Sequence, residues 1–446
     1  MTPKKELQNI KKAEKISIIE GSFYGVMDGF GLRYITPYAL FLGASHYLIA
    51  LLSTLPQFLG NVSQLYGIQL IKDNSRKKIA FHAVLTQSLF WLPIIILGII
   101  YFFFEETRIV IPWLLLIVYS LLIISGSIGS PAWNSWMKDL VLKNSGQYFG
   151  IRNRILNITT VVSMFIAGLI LTFFTDGLTL IGFFIIFVIA GIGRYISANL
   201  FLKQYEPKFT YNNNAYFSFY EFVKKMLYNN FGRFVLLISL ISFATAIAGP
   251  FFTVYMLEDL SLSYLQFTIV STGAVISMIL FLPSWGKFAD KFGNIKVIKI
   301  NSFFITIIPL FWLFTLFMKQ FSTNSIVFYL IFVELFAGFS WAGFNLSAGN
   351  FIYDAVTREK MAFCVAYFNI INAGGAFIGA LLGGFLSSKD IYFFGVKGLV
   401  TLFIISFLLR AIVTLFIQTS IHEVRKVKDF QLTNHLNNTF RMLRVL

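Results

Sequence analysis

Long apolar runs, separated by short polar turns, account for most of the chain. A helix needs about 20 mainly apolar residues to cross the hydrocarbon core of a bilayer. Runs of this length predict twelve transmembrane helices, at 16–42, 46–70, 79–103, 109–136, 152–174, 179–203, 233–257, 264–285, 297–318, 325–352, 361–387 and 397–420. The pattern therefore predicts an all-α integral membrane protein.

The two halves of the chain repeat each other. Asp139–Asn157 aligns without a gap with Asp354–Asn372, and each segment lies between two apolar runs. Arg194 and Arg410 recur at nearly the same offset. A repeat in the same order is typical of two six-helix bundles. The expected parts are a first bundle at 1–203, a cytoplasmic linker at 204–232, a second bundle at 233–420 and a basic cytoplasmic tail at 421–446.

Composition and charge agree with a membrane protein. Of the 446 residues, 57% are hydrophobic and only 13% are charged, whereas soluble domains carry about 25% charged residues. The formal net charge is +16, and most Lys and Arg lie in the segments on the side of the two termini. This positive-inside distribution predicts that both termini are cytoplasmic. The basicity therefore reflects topology in the cytoplasmic membrane and not binding to nucleic acid.

The sequence offers little for catalysis. Cys364 is the single cysteine, and the four histidines show no metal-ligand spacing, so neither a disulfide framework nor a cysteine-based metal site is expected. There is no clustered nucleophile, large catalytic loop or nucleotide-binding loop. We expect a protein that is neither an enzyme nor an ATP-driven pump and that has no cofactor.

Asp28 is the costliest residue of the first predicted helix. An unpaired charge near the middle of a membrane helix costs at least a few kcal/mol. Tyr24 lies one turn earlier on the same face, and Arg33, five residues later, would lie about 140° around a continuous helix, which makes it a poor partner for Asp28. Three roles stay open for Asp28. It would couple transport to protons, contact a cationic or polyhydroxyl substrate, or form a static pair with Arg33, Arg194 or Arg410.

The tenth predicted helix contains a second acidic residue, Glu334, followed by Trp341 and Asn345. Static pairing or gating is favoured for Glu334, because Arg33 is also expected in the outer half of its helix. Buried carboxyl groups hold protons more tightly than exposed ones, so the first alternative for Asp28 is chemically reasonable.

Polar residues also follow helical spacing elsewhere. Gln57, Asn61 and Gln64 form a stripe on the second helix, and this stripe either bonds to other helices or lines a cavity. Asn134 is a polar group near the end of the fourth helix. Within 204–232, apolar and basic residues predict an amphipathic helix that lies on the membrane surface. A second surface helix is predicted in the tail.

The loop between the eighth and ninth helices carries the sequence GKFADKFG, and it resembles the loop signature of the major facilitator superfamily. Gly286, Asp290, Lys291 and Gly293 fill the signature positions. The copy in the first half is degenerate, since Ile71 stands at the aspartate position. The arginine and glycine–proline motifs of drug/proton antiporters and the motifs of sugar porters are missing, so the resemblance assigns no substrate subfamily.

The resemblance implies a secondary transporter that works by alternating access. In this superfamily the first, fourth, seventh and tenth helices line a central cavity. This implies a solute or ion site whose candidate residues are Tyr24, Asp28, Arg33, Asn134, Glu334, Trp341 and Asn345.

The signature also predicts a contact between the halves. A carboxylate at a helix N-terminus gains up to about 1 kcal/mol, or about 2 kcal/mol in a partly buried setting. We expect Asp290 to meet the start of the fifth helix near Arg152 and Arg154, and to hold the cytoplasmic side closed. The repeated residues Asp139 and Asp354 belong to the same predicted latch. The alternative is that Asp290 only orders a tight turn.

These observations predict a transporter of a small organic solute, and proton coupling through Asp28 is one of the alternatives left open for it. Its expected partners are the lipid bilayer, the solute and protons, and we expect a monomer. A receptor or scaffold with a transporter fold is the main alternative, because a fold does not fix a function. A membrane-embedded enzyme is the less favoured one.

Overall fold

A computed structural model of the chain is almost entirely helical. It describes residues 3–141, 145–174, 177–207, 218–318, 320–357, 360–388, 392–393 and 396–428. The first half contains α1 (Pro3–Phe30), α2 (Ile35–Phe41), α3 (His46–Leu70), α4 (Arg76–Leu89), α5 (Trp91–Phe103), α6 (Ile111–Leu140), α7 (Ser145–Phe173) and α8 (Thr179–Leu202). The second half contains α9 (Phe219–Lys225), α10 (Asn230–Ala246), α11 (Gly249–Val254), α12 (Tyr264–Phe292), α13 (Asn294–Met318), α14 (Thr323–Ala355), α15 (Met361–Ser387), the antiparallel strands β1 (Tyr392–Phe393) and β2 (Val396–Lys397), and α16 (Leu399–Ser420).

Each of the twelve predicted ranges overlaps a helix or two consecutive helices. Within the described residues, 10 helical segments are long and apolar enough to cross a membrane. The first two predicted helices are not among them. In α1 the window holds several charged residues, and in α3 the stripe of Gln57, Asn61 and Gln64 lowers the hydropathy. Twelve crossings and cytoplasmic termini therefore stay predictions.

The helices pack in two groups that follow the repeat. In the first half α1 packs against α7 and α8, and α6 packs against α3 and α4. In the second half α10 packs against α15 and α16, and α14 packs against α12 and α13. Small residues allow the close contacts: Gly29 of α1 lies against Ser163 of α7. This use of small residues is typical of helices that associate in lipid.

Three of the predicted helices are interrupted, the third of them only at Phe90, between α4 and α5. The first ends at Phe30, and the next residue, Gly31, lies so close to the indole of Trp91 that there is no room for a side chain. A 3-10 turn (Leu32–Tyr34) then leads into α2. The seventh breaks after Ala246, and α11 begins with Pro250 in its first turn, where the missing N–H has no helical partner to lose.

The two bundles contact each other in only one half of their length, judged from the part of the chain that the structure describes. We call the face at which α1 begins and α3 ends the basic face, and its opposite the outer face. Near the outer face, Gly384 of α15 lies against Tyr47 of α3, and Gly168 of α7 lies against Thr268 of α12. The deepest contact is the stacked pair Phe58 and Phe377, whose ring centroids are 5.5 Å apart.

On the basic face the helix ends contact their own half of the chain instead. At the start of α15, Tyr367 packs against Phe219 and Phe222 of α9, with ring centroids 5.2 and 5.6 Å apart. The structure is therefore closed at the outer face and open at the basic face.

The linker helix and the tail differ from the predictions in detail. The amphipathic helix is present as α9, but its buried side chain is Phe222, while Tyr220 and Tyr228 are exposed. The predicted tail helix is wrong for residues 421–428, which run as an extended segment. Hydrogen bonds to neighbouring helix ends replace helical ones there, as with the Asn230 amide that donates to the His422 carbonyl at 2.7 Å. The rest of the predicted tail helix lies outside the described residues.

Candidate functional site

One face of α14 carries the polar residues predicted for the tenth helix. At about 100° per residue, Glu334, Trp341 and Asn345 fall within about 40° of one another. Asn345 is exposed, and Glu334 and Trp341 are partly exposed. These three side chains therefore share one face of α14.

The neighbours of α14 show where this face points. Its other sides are covered by three helices, through the contacts of Gly338 with Ala274 of α12, Phe336 with Phe311 of α13, and Phe351 with Phe234 of α10. The polar face lies between the directions of α10 and α12. Because α12 also packs against α7, this gap opens toward the first bundle.

Glu334 has no hydrogen bond or ion pair with any of the described residues. Arg33, Arg194 and Arg410, the partners considered for it, are engaged elsewhere. Arg410 donates to the Ile305 carbonyl at 2.9 Å. Of the two roles favoured for Glu334, static pairing is therefore wrong for the described residues in this conformation, and gating stays a prediction.

Asp28, in contrast, has a partner that the spacing argument rejected. Arg33 Nε lies 3.3 Å from one carboxylate oxygen, and Nη2 lies 3.3 Å from the other. The argument failed because it assumed a continuous helix, whereas α1 ends at Phe30 and the following turn brings Arg33 back over Asp28. The pair is not sealed off: 46% of the Arg33 side chain and 15% of the Asp28 side chain are exposed.

The Asp28 pair and Glu334 approach the same helix of the second bundle. Tyr34, next to Arg33, has its hydroxyl 2.6 Å from Thr268 Oγ1 of α12. Gly273 of α12 lies against Glu334. The two contact points are about 7.5 Å apart along α12 at 1.5 Å per residue. Tyr34 of the first bundle and Glu334 of the second therefore contact the same short stretch of α12.

The amide stripe of α3 contributes further polar groups. Asn61 donates to the Gln57 carbonyl at 3.0 Å, and Gln64 donates to Asn61 Oδ1 at 3.1 Å. Both bonds stay within α3, so the stripe does not connect helices through them. It lies between the side of α3 that faces α6, through Gly60, and the side that faces α15, through Phe58.

The remaining predicted residues of this site lie on α1 and α6. Tyr24 is partly buried beneath the Arg194 guanidinium, whose central carbon is 5.0 Å from the ring centroid. Asn134 is exposed near the basic face. No metal centre emerges: within the described ranges, no three His, Cys, Asp or Glu side chains come together.

Comparisons with known proteins agree with this architecture. The sequence profile of the Major Facilitator Superfamily matches residues 234–443. A crystal structure of a mutant nucleoside transporter NupG is similar with a TM-score of 0.68 and 14% identity, covering 93% of this chain and 100% of that one. A likeness to the Major Facilitator Superfamily is therefore shown for the second half of this chain. No curated protein sequence matches it.

Two further solved structures extend the comparison. A POT family transporter in complex with 5-aminolevulinic acid gives a TM-score of 0.67 at 13% identity, over 92% of this chain and 95% of that one. A bacterial homologue of the iron transporter ferroportin, in its inward-facing state, gives 0.63 at 13% identity, over 92% and 98%. At such low identity these likenesses show a shared fold and no shared cargo.

The superfamily signature does not form the predicted contact in this conformation. Asp290 is exposed at the basic end of α12, and Arg154 is exposed at the start of α7. Arg152 is buried and turned into the first bundle, where its Nη2 lies 2.9 Å from Glu20. Arg152 is therefore already paired. A latch between the bundles stays a prediction for a conformation that is closed at the basic face, with Arg154 as the free arginine.

The signature loop is instead held by the tail. Gly293 has a φ of +94°, which favours glycine, and the Glu423 side chain lies directly against it. The Ile295 amide donates to the same carboxylate at 3.0 Å. Gly286 and Lys291 have no hydrogen bond or ion pair with the described part of the first bundle. The Lys291 carbonyl accepts from the Lys428 amide at 3.2 Å.

Asp139 and Asp354 act within their own bundles, not between them. Asp139 pairs with Arg76 at the start of α4. Asp354 pairs with Arg425 of the tail at 3.1 Å and accepts from the Asn294 amide at 2.7 Å. Their assignment to a latch between the halves is therefore wrong in this conformation, because each is satisfied by the nearest basic or amide group at the same end of its bundle.

Sequence reasoning missed Glu20, which is 2% exposed and lies between two arginines. A carboxylate in the first turns of a predicted membrane helix that begins with many charged residues looks like part of the polar start. The available signal was that Glu20 stands eight residues before Asp28, among apolar residues.

Proposed function

We propose that this protein is a secondary transporter that moves a small organic solute by alternating access. The observation that carries the proposal is the gap between two bundles that meet at the outer face and part at the basic face. Polar groups that lack partners face this gap, although membrane proteins rarely keep such groups without a use. A solute that enters from the basic face would meet Glu334 and the Asp28–Arg33 pair.

The basic face is proposed to be cytoplasmic. Lys72 lies in the turn between α3 and α4, and Lys77 and Lys78 lie in the first turn of α4. Lys287 and Lys291 lie at the end of α12. The positive-inside distribution places such segments in the cytoplasm. The conformation is then inward-open, and its counterpart would close the basic face around the exposed Asp290 and Arg154.

We assign proton coupling to Glu334 in preference to Asp28. Arg33 neutralises Asp28 without a proton, whereas Glu334 has no cationic partner among the described residues. A carboxylate in this position is neutralised by a proton or by the cationic group of a solute. The Asp28–Arg33 pair presents one acceptor and one donor group to the solute.

The test is uptake into proteoliposomes, with a panel of nucleosides, amines, amino acids and sugars, with and without a proton gradient. We expect at least one solute to accumulate above protein-free liposomes. Glu334→Gln should abolish the effect of the gradient. Glu105→Gln serves as the control, because Glu105 is an exposed outer residue whose side chain is 80% accessible, and it should behave like wild type.

The competing function is a receptor or scaffold without transport. It predicts no uptake of any solute by folded protein. Retention of gradient-driven uptake in Glu334→Gln would contradict only the coupling assignment. Uptake that does not respond to the gradient in wild type would replace coupled transport by facilitated diffusion.

A further inference from the structure

A charged cluster lies inside the first bundle, apart from the residues assigned to the solute. Glu20 of α1 is at its centre. Arg152 of α7 is 2.9 Å from one carboxylate oxygen. The Ser197 hydroxyl of α8 donates to the other oxygen at 2.8 Å, and Arg194 of α8 lies 3.8 Å from it. One carboxylate therefore joins three helices.

Each arginine of the cluster also covers an aromatic ring. The central guanidinium carbon of Arg194 is 5.0 Å from the ring centroid of Tyr24. That of Arg152 is 4.6 Å from the ring of Trp133. Both distances are within the range of a cation–π contact, which strengthens where water is excluded.

Tyr24 lies beside the candidate solute site, and Trp133 is next in the chain to one of the residues predicted for that site. Tyr24 is one helical turn before Asp28 on the same face of α1, and its hydroxyl has no hydrogen bond with the described residues. Trp133 precedes the exposed Asn134 on α6. Each guanidinium group packs on the face of its ring. The orientation of each ring therefore depends on the position of its arginine.

Other contacts restrict the arginines as well. Gln87 of α4 accepts from Arg194 Nε at 2.6 Å, and the Ser17 carbonyl accepts from Arg152 Nε at 3.3 Å. Among the described residues, Glu20 is the acidic group that contacts both arginines. Removing its charge leaves two buried guanidinium groups that repel each other across the position of the carboxylate.

We propose that Glu20 is a positioning residue for solute binding, which orients Tyr24 and Trp133 through Arg194 and Arg152. The role rests on the transport site proposed above. Glu20 does not touch the solute. It fixes the two guanidinium groups, and these fix the rings on α1 and α6.

The experiment reads the ring position directly. Full-length protein labelled with 5-fluorotryptophan is studied by fluorine NMR in detergent, and the Trp133 signal is assigned by its loss in Trp133→Phe. We expect Glu20→Gln to move the Trp133 signal and Glu20→Asp to bring it back most of the way. Glu14→Gln, a carboxylate change on the same helix, should leave it in place.

A folded Glu20→Gln protein with an unmoved Trp133 signal would overturn the proposal. If Glu20→Gln does not fold, Arg152→Lys replaces it, because lysine keeps the charge beside Glu20 but lacks the planar group that stacks on a ring. An unmoved signal in Arg152→Lys would overturn the proposal equally.

Transport provides a second, separate readout. For a solute found in the uptake screen, Glu20→Gln should raise KM several-fold with a smaller change in kcat, and Glu20→Asp should restore KM. Because the fluorine signal needs no solute, it decides the positioning role even where the screen finds none. An empty screen contradicts the proposed function alone.

Discussion

At Gly338, α14 lies so close to α12 that a Cβ atom would overlap the carbonyl oxygen of Ala274. No residue other than glycine fits without moving a helix. Gly349, on the same helix, has nothing within 4 Å of the place where its Cβ would be. Two glycines of one helix therefore have different physical reasons to be there.

Gly338→Ala should destabilise the protein by about 1–3 kcal/mol, because a methyl group is forced into a packed contact. Gly349→Ala should be neutral or should stabilise by up to about 1 kcal/mol, because alanine favours the helix. Thermal unfolding of the two purified variants in detergent makes the comparison. Equal melting temperatures would show that α12 and α14 are not as close as described.

The charged residues show what single positions could reveal. Asp28 and Glu334 are recognisable from sequence as costly residues in apolar runs. Their partners are not, because pairing depends on the chain path. One break at Gly31 is enough to bring Arg33 to Asp28. The packing of the helices leaves Glu334 without a partner among the described residues.

Among the elements, the segments that follow α8 and α16 have equivalent structural roles, because each accepts hydrogen bonds from the start of another helix. Glu206 accepts from the Ser75 hydroxyl and from the Arg76 amide, at 2.5 and 2.8 Å. Glu423 accepts from the Ile295 amide at 3.0 Å. Each segment thus fixes the start of the third helix of its bundle. The repeat recognised in the sequence extends to these segments, although their sequences did not reveal it.

Asp354→Ala should test how the segment after α16 is attached to the second bundle, because Asp354 binds both Arg425 of that segment and Asn294 at the start of α13. Arg425 and Asn294 would lose their shared acceptor, and since the pair is partly exposed the loss should be about 1 kcal/mol. Asp73→Ala is the matched control, because Asp73 is exposed in the corresponding turn of the first half. Chemical or thermal unfolding of both variants measures the difference. An Asp354→Ala protein as stable as the control would contradict this attachment.

For the whole molecule, the decisive contacts are those that close the outer face. His46 Nε2 of α3 lies 2.8 Å from Glu258, at the end of the π-helical turn after α11. Tyr264 of α12 packs against Phe183 of α8, with ring centroids 5.7 Å apart. Such contacts must break when the outer face opens, so they stabilise the conformation that is closed at the outer face.

Glu258→Ala should shift the protein toward the outward-open state. An exposed pair contributes about 0.2–1 kcal/mol, so the ratio of states should change by about 1.4- to 5-fold. Spin labels at Glu106 and Asn324, in a Cys364→Ser background, give the distance between the bundles at the outer face by double electron–electron resonance. Labels at Asp73 and Lys287 report the basic face. The outer distances should lengthen while the basic ones shorten.

Glu105→Ala is the control for this shift, because Glu105 pairs only with Arg108 of its own turn among the described residues. It should leave both distance distributions unchanged. Distances that stay fixed in Glu258→Ala and in wild type with solute would argue against alternating access itself.

The sequence by itself determined the membrane class, the near-complete set of helices and the twofold repeat. These follow from local hydrophobicity and from spacing, which neighbouring residues already contain. It also identified Asp28 and Glu334, because a charge in an apolar run is visible without any fold.

Only the tertiary structure decided which groups meet. Arg33 with Asp28, Arg152 with Glu20 and Asp354 with Arg425 are contacts between elements, or across a break in a helix. The energy of a buried charge depends on groups from several helices at once, and no local pattern contains their arrangement. The same holds for the open basic face, which depends on how the two bundles pack against each other.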